Sequence, residues 1–424
     1  MLDINYIREH TEEVRKNLAR RKNEAYISLL DQVIAVDKDW RKIKGEIDEL
    51  RARRNKISAE INEARKAGKD ISKLVKEAAE TPKLIAEKEQ KLIAHEQNIR
   101  NCLLQIPNLM HESVPYGKDD TENVPIKFVG KKPEFKFTPI SHVDIVVEND
   151  WADLERAAKI SGARWYFLKG ELAQLELAIT NYAIDFMREK GFTLVIPPFM
   201  MGQKPYEGVT SLGDFEEALY KIEGEDLHPI ATSEHPLTAQ YMDETFDASK
   251  LPIKLVGYST CFRKEAGAHG KDQRGIFRVH QFNKVEQIVL CTPEQSWKFH
   301  EQMVKHAMDF FESLGIHFRI VNICTGDLGI VAAKKYDLEG WFPVQNTYRE
   351  LVSGSNCTEY QSRRLNIKYA KGQKKELIHT LNCTCVATSR ALVAIIENFQ
   401  NKDGSVTIPK VLHKYAGFKK MGGK

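Results

Sequence analysis

The sequence predicts an α+β chain, with an N-terminal antiparallel coiled-coil hairpin ahead of a mixed body of helices and strands. Three observations carry that expectation. Apolar residues recur at alternating steps of four and three across most of residues 26–106, with one break. A stretch dense in Pro and Gly follows. Beyond it, helical periodicity alternates with short strand-like runs, and neither G-x-G-x-x-G nor G-x-x-x-x-G-K-[ST] occurs. A nucleotide bound here must therefore be held by side chains on an antiparallel sheet.

The hairpin comes first. Leu29, Val33, Val36, Trp40, Ile43, Ile47, Leu50, Arg54, Ile57, Ile61 and Ala64 form one seam, interrupted only by Arg54. Ala67-Gly68-Lys69-Asp70 breaks the pattern as a helix–helix turn should. The rhythm resumes at Ile71, Leu74, Ala78, Thr81, Ile85, Lys88, Leu92, His95, Ile99, Cys102 and Ile106. This second seam is weaker, since Thr81, Lys88 and His95 sit on it, and Pro82 is expected to bend the helix or restart it. A short turn between long seams implies antiparallel helices. Roughly 38 residues at ~1.5 Å each reach roughly 57 Å, so the arm should project. Arg41, Lys42, Lys44, Arg51, Arg53, Arg54 and Lys56 give its first helix a basic run suited to phosphates. Glu46, Asp48 and Glu49 dilute that run, and the pattern alone fits an oligomerisation rod as well.

The body starts after Ile106-Pro107-Asn108 and an irregular linker containing Pro115, Gly117, Pro125, Gly130, Pro133 and Pro139. The expected division is 1–110 for the arm and 111–424 for the body. Leu172 to Lys190 reads as a helix, and Phe192–Ile196 as a buried strand stopped by Pro197-Pro198. Ile253–Ser259, Phe277–Val289 and Phe318–Ile323 read as further strands.

Composition narrows the function. Hydrophobic residues are 42% and charged residues 29%, as in soluble globular chains. The net charge is only +4, so a nucleic-acid surface must be a local concentration of Lys and Arg. No apolar run approaches a membrane span. The first residues, MLDINYIREHTEEVRKNLARR, lack the apolar stretch of a signal peptide, so a cytoplasmic location is expected. Cys102, Cys261, Cys291, Cys324, Cys357, Cys383 and Cys385 are scattered, which argues for reduced, packed thiols. The lone C-x-C at 383–385 is too little to imply zinc.

The densest chemistry lies in residues 259–286, STCFRKEAGAHGKDQRGIFRVHQFNKVE. Arg263 and Arg278 flank a polar loop, and guanidinium forks suit phosphate oxygens. Gly267, Gly270 and Gly275 allow a tight or mobile backbone. Phe282 offers a ring face to a base, and Glu265 and Glu286 supply carboxylates. Singly, each of these is as readily a solvated charge or a core aromatic; together they are harder to dismiss.

FRKEAG…GIFRVHQFNKVE resembles the second signature motif of class II aminoacyl-tRNA synthetases in its seryl form. Gly191-Phe192…Pro197-Pro198 resembles the first motif, a helix and strand at a dimer interface. Ala231-Thr232-Ser233-Glu234 resembles the serine-binding loop, with Ser233 where Ala is common. Ser355–Arg364, Leu381–Thr384 and Arg390 resemble the third-motif region, with Ala387-Thr388-Ser389 before the Arg where many bacterial relatives have Gly. The hairpin matches the family's tRNA-binding arm. Both departures resemble the archaeal and eukaryotic branch, and the zinc-dependent branch does not fit.

The resemblance implies an antiparallel sheet flanked by helices, and ATP-dependent activation of L-serine to seryl-adenylate. Transfer to tRNA(Ser) would follow, with tRNA(Sec) as a second candidate acceptor. By position, Arg263, Glu286 and Arg390 would be catalytic, with Arg263 at the α-phosphate and Arg390 at the γ-phosphate. Lys264, Glu265, Val279, His280, Gln281, Phe282, Glu350, Leu351, Val352 and Ser353 would complete the ATP site, with Phe282 stacked on adenine. Glu350 and Ser353 would hold Mg²⁺, which prefers oxygen ligands; no zinc is expected. Thr232, Ser233, Glu234, Arg263, Glu286, Asn382 and Thr384 would surround serine. Arg41, Lys44, Arg51 and Arg54 would meet the long variable arm of the tRNA, on a homodimer without membrane association. Two rivals remain: an amino acid:carrier-protein ligase, against which the arm argues, and a dead paralogue, against which Arg263, Glu286, Glu350 and Arg390 argue.

Overall fold

A computed structural model describes residues 1–211, 213, 218–265 and 274–423. They form two compact units, Met1–Pro107 and Asn108–Lys424. Gly267 and Gly270 lie outside the described residues.

The first unit has two short helices, α1 (Ile4–Glu9) and α2 (Thr11–Ala19), and two long ones, α3 (Glu24–Lys66) and α4 (Ser72–Gln105). Asn23 caps α3 through its side-chain oxygen, and Gly68 at φ +67° makes the turn. Asp70 then accepts from the Ser72 backbone to open α4. Val33, Ile47, Ile57, Thr81, Ile85 and Cys102 are buried along the seam. Cross-helix pairs nest inside one another, which makes the helices antiparallel. Arg53 grips Glu77 through two bonds of 2.8 and 2.9 Å. Arg51 meets Glu89 at 2.8 Å, Lys88 meets Glu46, and Trp40 donates to Glu96 at 3.1 Å.

Two expectations change here. The seam does break near residue 54, but Arg54 faces solvent and Arg53 bridges the gap. Pro82 does not restart the helix: α4 runs unbroken through it. One lost backbone donor is tolerated because Thr81 and Ile85, on either side, are buried against the partner helix.

The second unit is built on an eight-stranded sheet. Its strands are β1 (Val124–Val129), β2 (Thr193–Val195), β3 (Ile253–Phe262), β4 (Gln281–Cys291), β5 (Phe318–Asn322), β6 (Lys334–Phe342), β7 (Thr347–Asn356) and β8 (His379–Ala387), in the order β1-β5-β6-β7-β8-β4-β3-β2. Every pairing is antiparallel except β2 on β3. Three long helices, α5 (Gly170–Glu189), α6 (Pro293–Ser313) and α7 (Thr388–Asn398), join the main core with one face of the sheet. Val285 and Val289 of β4, Leu381, Cys383 and Cys385 of β8, and Phe310 and Phe311 of α6 meet there. On the other face Ile288 and Leu290 enter a second apolar cluster, and polar residues take the rest.

Phe192–Ile196 is not the buried strand expected. It contributes only the edge strand β2, where Leu194 is 37% exposed, and Ile196 just beyond it is 64% exposed. Residues 277–280 are not strand either; β4 begins at Gln281. Among the described residues no helix is long and apolar enough to cross a membrane.

One buried charge organises the first unit. Asp37 is 1% exposed on α3, accepts from Arg8 of α1 at 2.9 Å and from Arg41 at 3.0 Å. Asp37→Ala removes the bonds that tie Arg8 of α1 to α3, and hydrogen bonds to charged groups are worth about 1.5–3 kcal/mol. Amide exchange in α1 should then rise roughly 10- to 100-fold, with the main sheet unchanged. An α1 as protected as the wild type's refutes this anchoring.

Candidate active site

Side chains two apart on a strand share a face. Along β4, Phe282, Lys284 and Glu286 turn to a cleft while Val285 and Val289 enter the core. Neighbouring strands extend the floor: Asn382 and Thr384 from β8, Ser353 and Ser355 from β7, and Lys335 from β6. A register shift between Leu338 and Glu339 turns Glu350 to the cleft face with Ser353, while Leu351, which borders the cleft, packs its side chain into the main core beside Gly340. Arg263 follows the end of β3, where its backbone N–H donates to His280 at 2.9 Å. Its Nε reaches the Ala231 carbonyl at 3.3 Å, and its guanidinium lies 5.3 Å from the Phe282 ring centre. Arg390 comes from the first turn of α7 and donates to Glu350 Oε1 at 3.0 Å. Thr232 and Glu234 also line the cleft. The cleft encloses about 450 Å³, a volume typical of small-molecule sites.

Its charges are paired and steeply tuned. Lys284 forms an ion pair with Glu286, both buried, and Thr384 donates to the same Glu286 oxygen at 3.3 Å. Burial would raise the Glu350 carboxyl, but Arg390 and Lys335 outweigh it and hold it down at about 2. Asp337, on the same face two residues from Lys335, is pushed up to about 7 by burial despite Lys335, with Glu350 adding to the rise. Glu234 is also pushed up to about 7, by burial and by Glu286. Gln361 Nε2 donates to it at 2.9 Å. Burial, with Lys284 and Arg263 nearby, drives the His235 ring down to about 3, so it stays neutral beside the Tyr206 hydroxyl.

Eleven residues singled out in the sequence line this cleft: Thr232, Glu234, Arg263, Phe282, Glu286, Glu350, Leu351, Ser353, Asn382, Thr384 and Arg390. Others go elsewhere. Ser233 is fully buried, its Oγ 3.4 Å from the Gly257 carbonyl. Val352 belongs to the core. Glu265, at φ +50°, turns its carboxylate to Arg278 at 3.4 Å. Lys264 bonds through its backbone to Ala218, and Val279 is buried. His280 stacks on Trp165 beside the Tyr220 hydroxyl, and Gln281 lines a smaller cavity with Trp165 and Glu176. Arg41, Lys44, Arg51 and Arg54 lie exposed on α3, with Arg41 paired to Asp37 and Arg51 to Glu89. Lys284, Lys335 and Asp337 were not singled out. Each stands two residues along a strand from a charged partner, and that spacing was readable once the strands were placed.

Known proteins resemble this chain along its whole length. The family model of the tRNA synthetase class II core domain (G, H, P, S and T) matches residues 219–399, and that of the seryl-tRNA synthetase N-terminal domain matches residues 1–110. A serine–tRNA ligase of Methanocorpusculum labreanum is 51% identical over 418 residues, 98% of either chain. The chain belongs to the seryl-tRNA synthetase family. A crystal structure of seryl-tRNA synthetase from Pyrococcus horikoshii complexed with ATP superposes with a TM-score of 0.98 at 46% identity, covering 100% of both chains. The cytoplasmic serine–tRNA ligase of Naegleria fowleri in complex with AMP gives 0.90 at 41% identity, covering 100% of this chain and 99% of that one.

Within this seryl-tRNA synthetase fold, the Ser233 loop is fixed by a close approach to β3. A methyl on Gly257 would lie 2.5 Å from Ser233 Oγ, 2.7 Å from its Cβ and 2.6 Å from Leu237 Cδ1. Gly257→Ala should therefore cost about 1–3 kcal/mol in thermal unfolding, as overpacking does. Ser233→Ala removes one long hydrogen bond and should cost less than about 1 kcal/mol. The double variant should recover only part of the loss, because Ser233 Cβ and Leu237 still obstruct. Full recovery would show that the hydroxyl alone makes the contact.

Proposed function

We propose that the cleft activates L-serine with ATP and transfers the seryl group to tRNA(Ser), with tRNA(Sec) a further candidate acceptor. The observation that carries this is one polar face on which Phe282, Arg263, Arg390, Glu350, Glu286 and Thr384 line the same cleft. It offers a ring for a base, two guanidiniums for phosphates and a buried acid–hydroxyl pair for a small polar amino acid. Phe282 stacks on adenine, with Arg263 packed against the ring. Arg263 meets the α-phosphate and Arg390 the γ-phosphate. Thr232, Glu234, Glu286, Asn382 and Thr384 take serine. The serine carboxylate attacks the α-phosphorus and pyrophosphate leaves. Positioning and fixed charge carry the rate.

Glu350 and Ser353 suit Mg²⁺, because both are hard oxygen donors in the cleft and Glu350 is held ionised. The metal would supply charge neutralisation at the phosphates. The exposed apolar edge of β2 and Leu177 on α5 support a homodimer. The basic residues of α3, among them Arg41, Lys44, Arg51 and Arg54, support contact with the long variable arm of the tRNA. A cytoplasmic setting suits these substrates.

Serine-dependent ATP–pyrophosphate exchange, followed by charging of tRNA(Ser), tests the reading. Arg263→Ala should lower the exchange rate by about 10²–10³, the usual cost of one preorganised donor. Near-normal exchange in that variant, or none in the wild type with serine, would contradict it.

Glu234 adds a pH signature. With its folded value near 7, it is protonated below that pH in the empty cleft and ionised above. The unfolded value is about 4.3, so the empty protein loses stability as pH rises from about 4.3 to 7. A bound ammonium needs the carboxylate and must expel its proton below pH 7. KM for serine should therefore climb towards tenfold per unit as pH falls below about 7, while KM for ATP does not follow. A serine KM flat from pH 6 to 8 would sink this role.

A further inference from the structure

We propose that Lys284 is a catalytic cation, held by Glu286 in the empty cleft and released to the α-phosphate when serine binds; this rests on the serine-activating reading above. The argument begins with spacing. Lys284 stands between Phe282 and Glu286 on the cleft face of β4. At ~3.3 Å per residue its Cα is roughly 6.6 Å from each neighbour's. An adenine on Phe282 and an amino acid on Glu286 therefore place the reacting carboxylate and α-phosphate above Lys284.

Its present partner is the wrong one for that task. The Lys284 ammonium is paired with Glu286, and both side chains are buried. Glu234 is a second carboxylate at the same end of the cleft. Serine brings an ammonium of its own to this acidic end, and two cations then compete for the same carboxylates. Lysine can respond, because its four-carbon stem is flexible and its three donors are not fixed in a plane. Arg263 is less free, since its Nε is tied to the Ala231 carbonyl at 3.3 Å. The floor residue opposite Lys284 on β8 is Ala387, which leaves its stem unobstructed on that side.

The step itself is unchanged in its atoms. A serine carboxylate oxygen forms a bond to the α-phosphorus, the bond to the β-phosphate oxygen breaks, and pyrophosphate leaves with the electron pair. Lys284 stays protonated throughout and compensates charge on the non-bridging oxygens. Serine binding would thus assemble the phosphate site, so the cation is in place only when the nucleophile is.

Coupling between two partial ligands tests this. AMP carries the α-phosphate, and serinol carries the ammonium and hydroxyl of serine without its carboxylate. Equilibrium dialysis of AMP with and without saturating serinol should show about tenfold tighter binding with serinol in the wild type, since linkage is reciprocal. In Lys284→Met the coupling should vanish, and the turnover of serine-dependent exchange at saturating serine and ATP should fall at least about 30-fold. Lys284→Met/Glu286→Gln removes both buried charges together, which guards against misfolding from a stranded carboxylate, and it too should show no coupling. Coupling that persists in either variant, or a Lys284→Met enzyme altered only in KM for serine, overturns the proposal. Wild-type enzyme that exchanges with serine yet shows no AMP–serinol coupling overturns it while leaving the activity standing. Wild type without serine-dependent exchange fails the activity, and the proposal with it.

Discussion

Charge buried on one face of a sheet must be paired there, and the body of this protein is arranged around that need. Lys284 faces Glu286 and Lys335 faces Asp337, while at the open edge Arg390 faces a Glu350 side chain that stays 45% exposed. An isolated buried ion is far too costly to keep, and a buried pair roughly breaks even against apolar packing. Stability must therefore come from elsewhere. It comes from the opposite face, where the alternate residues of the same strands pack against α5, α6 and α7. The sheet separates the two requirements by one residue: odd positions of β4 hold the fold, and even positions from 282 to 286 form the site.

The pairing also sets which groups respond to a ligand. Glu350 is held ionised by Arg390 and Lys335, so it is ready for a cation at any ordinary pH. Burial pushes Asp337 up to about 7 despite its partner Lys335, and burial and Glu286 push Glu234 up likewise. Glu350 is thus electrostatically set, while Glu234, beside Glu286, is adjustable.

Much of this was legible in the sequence, for physical reasons. A heptad seam is a strong signal, and the seam residues Val33, Ile47 and Ile57 are buried on α3. Failures cluster where the signal is short-range. The apolar run Phe192–Ile196 looks the same whether a strand is central or at an edge, and here it lies at the edge. Residues 277–280 alternate like a strand but lead into β4 as irregular backbone. Pro82 reads in the sequence as a bend or restart, whereas packing of the surrounding turns outweighs one missing donor. Ser233 was placed at the cleft by its neighbours in the loop, but the close approach of Gly257 turns it away. Lys284 and Lys335 went unnoticed because a lysine in a strand carries no signal of its own; only register against neighbouring carboxylates gives it one.

The same paired face bears on amino-acid choice in the proposed reaction. Serine differs from alanine by a hydroxyl and from threonine by a methyl. Glu286 and Thr384 are buried and already bonded to each other, so a hydroxyl entering between them joins an existing network. Alanine would disturb that network without replacing its bonds, and sites built to read a hydroxyl reject the analogue lacking it by about 10⁴–10⁵. Threonine keeps the hydroxyl and can be refused only by wall contacts, which discriminate far less per methyl, about 1–3 kcal/mol. The walls here include Asn382, Ser355 and Cys357, with Cys357 and Asn382 close to one another at 3.8 Å. These are buried, interlocked side chains on β7, β8 and the turn beyond β7, and β-sheet backbone behind them cannot retreat without breaking its ladder. Discrimination against alanine is thus a matter of polar bonding, and discrimination against threonine is a matter of sheet rigidity.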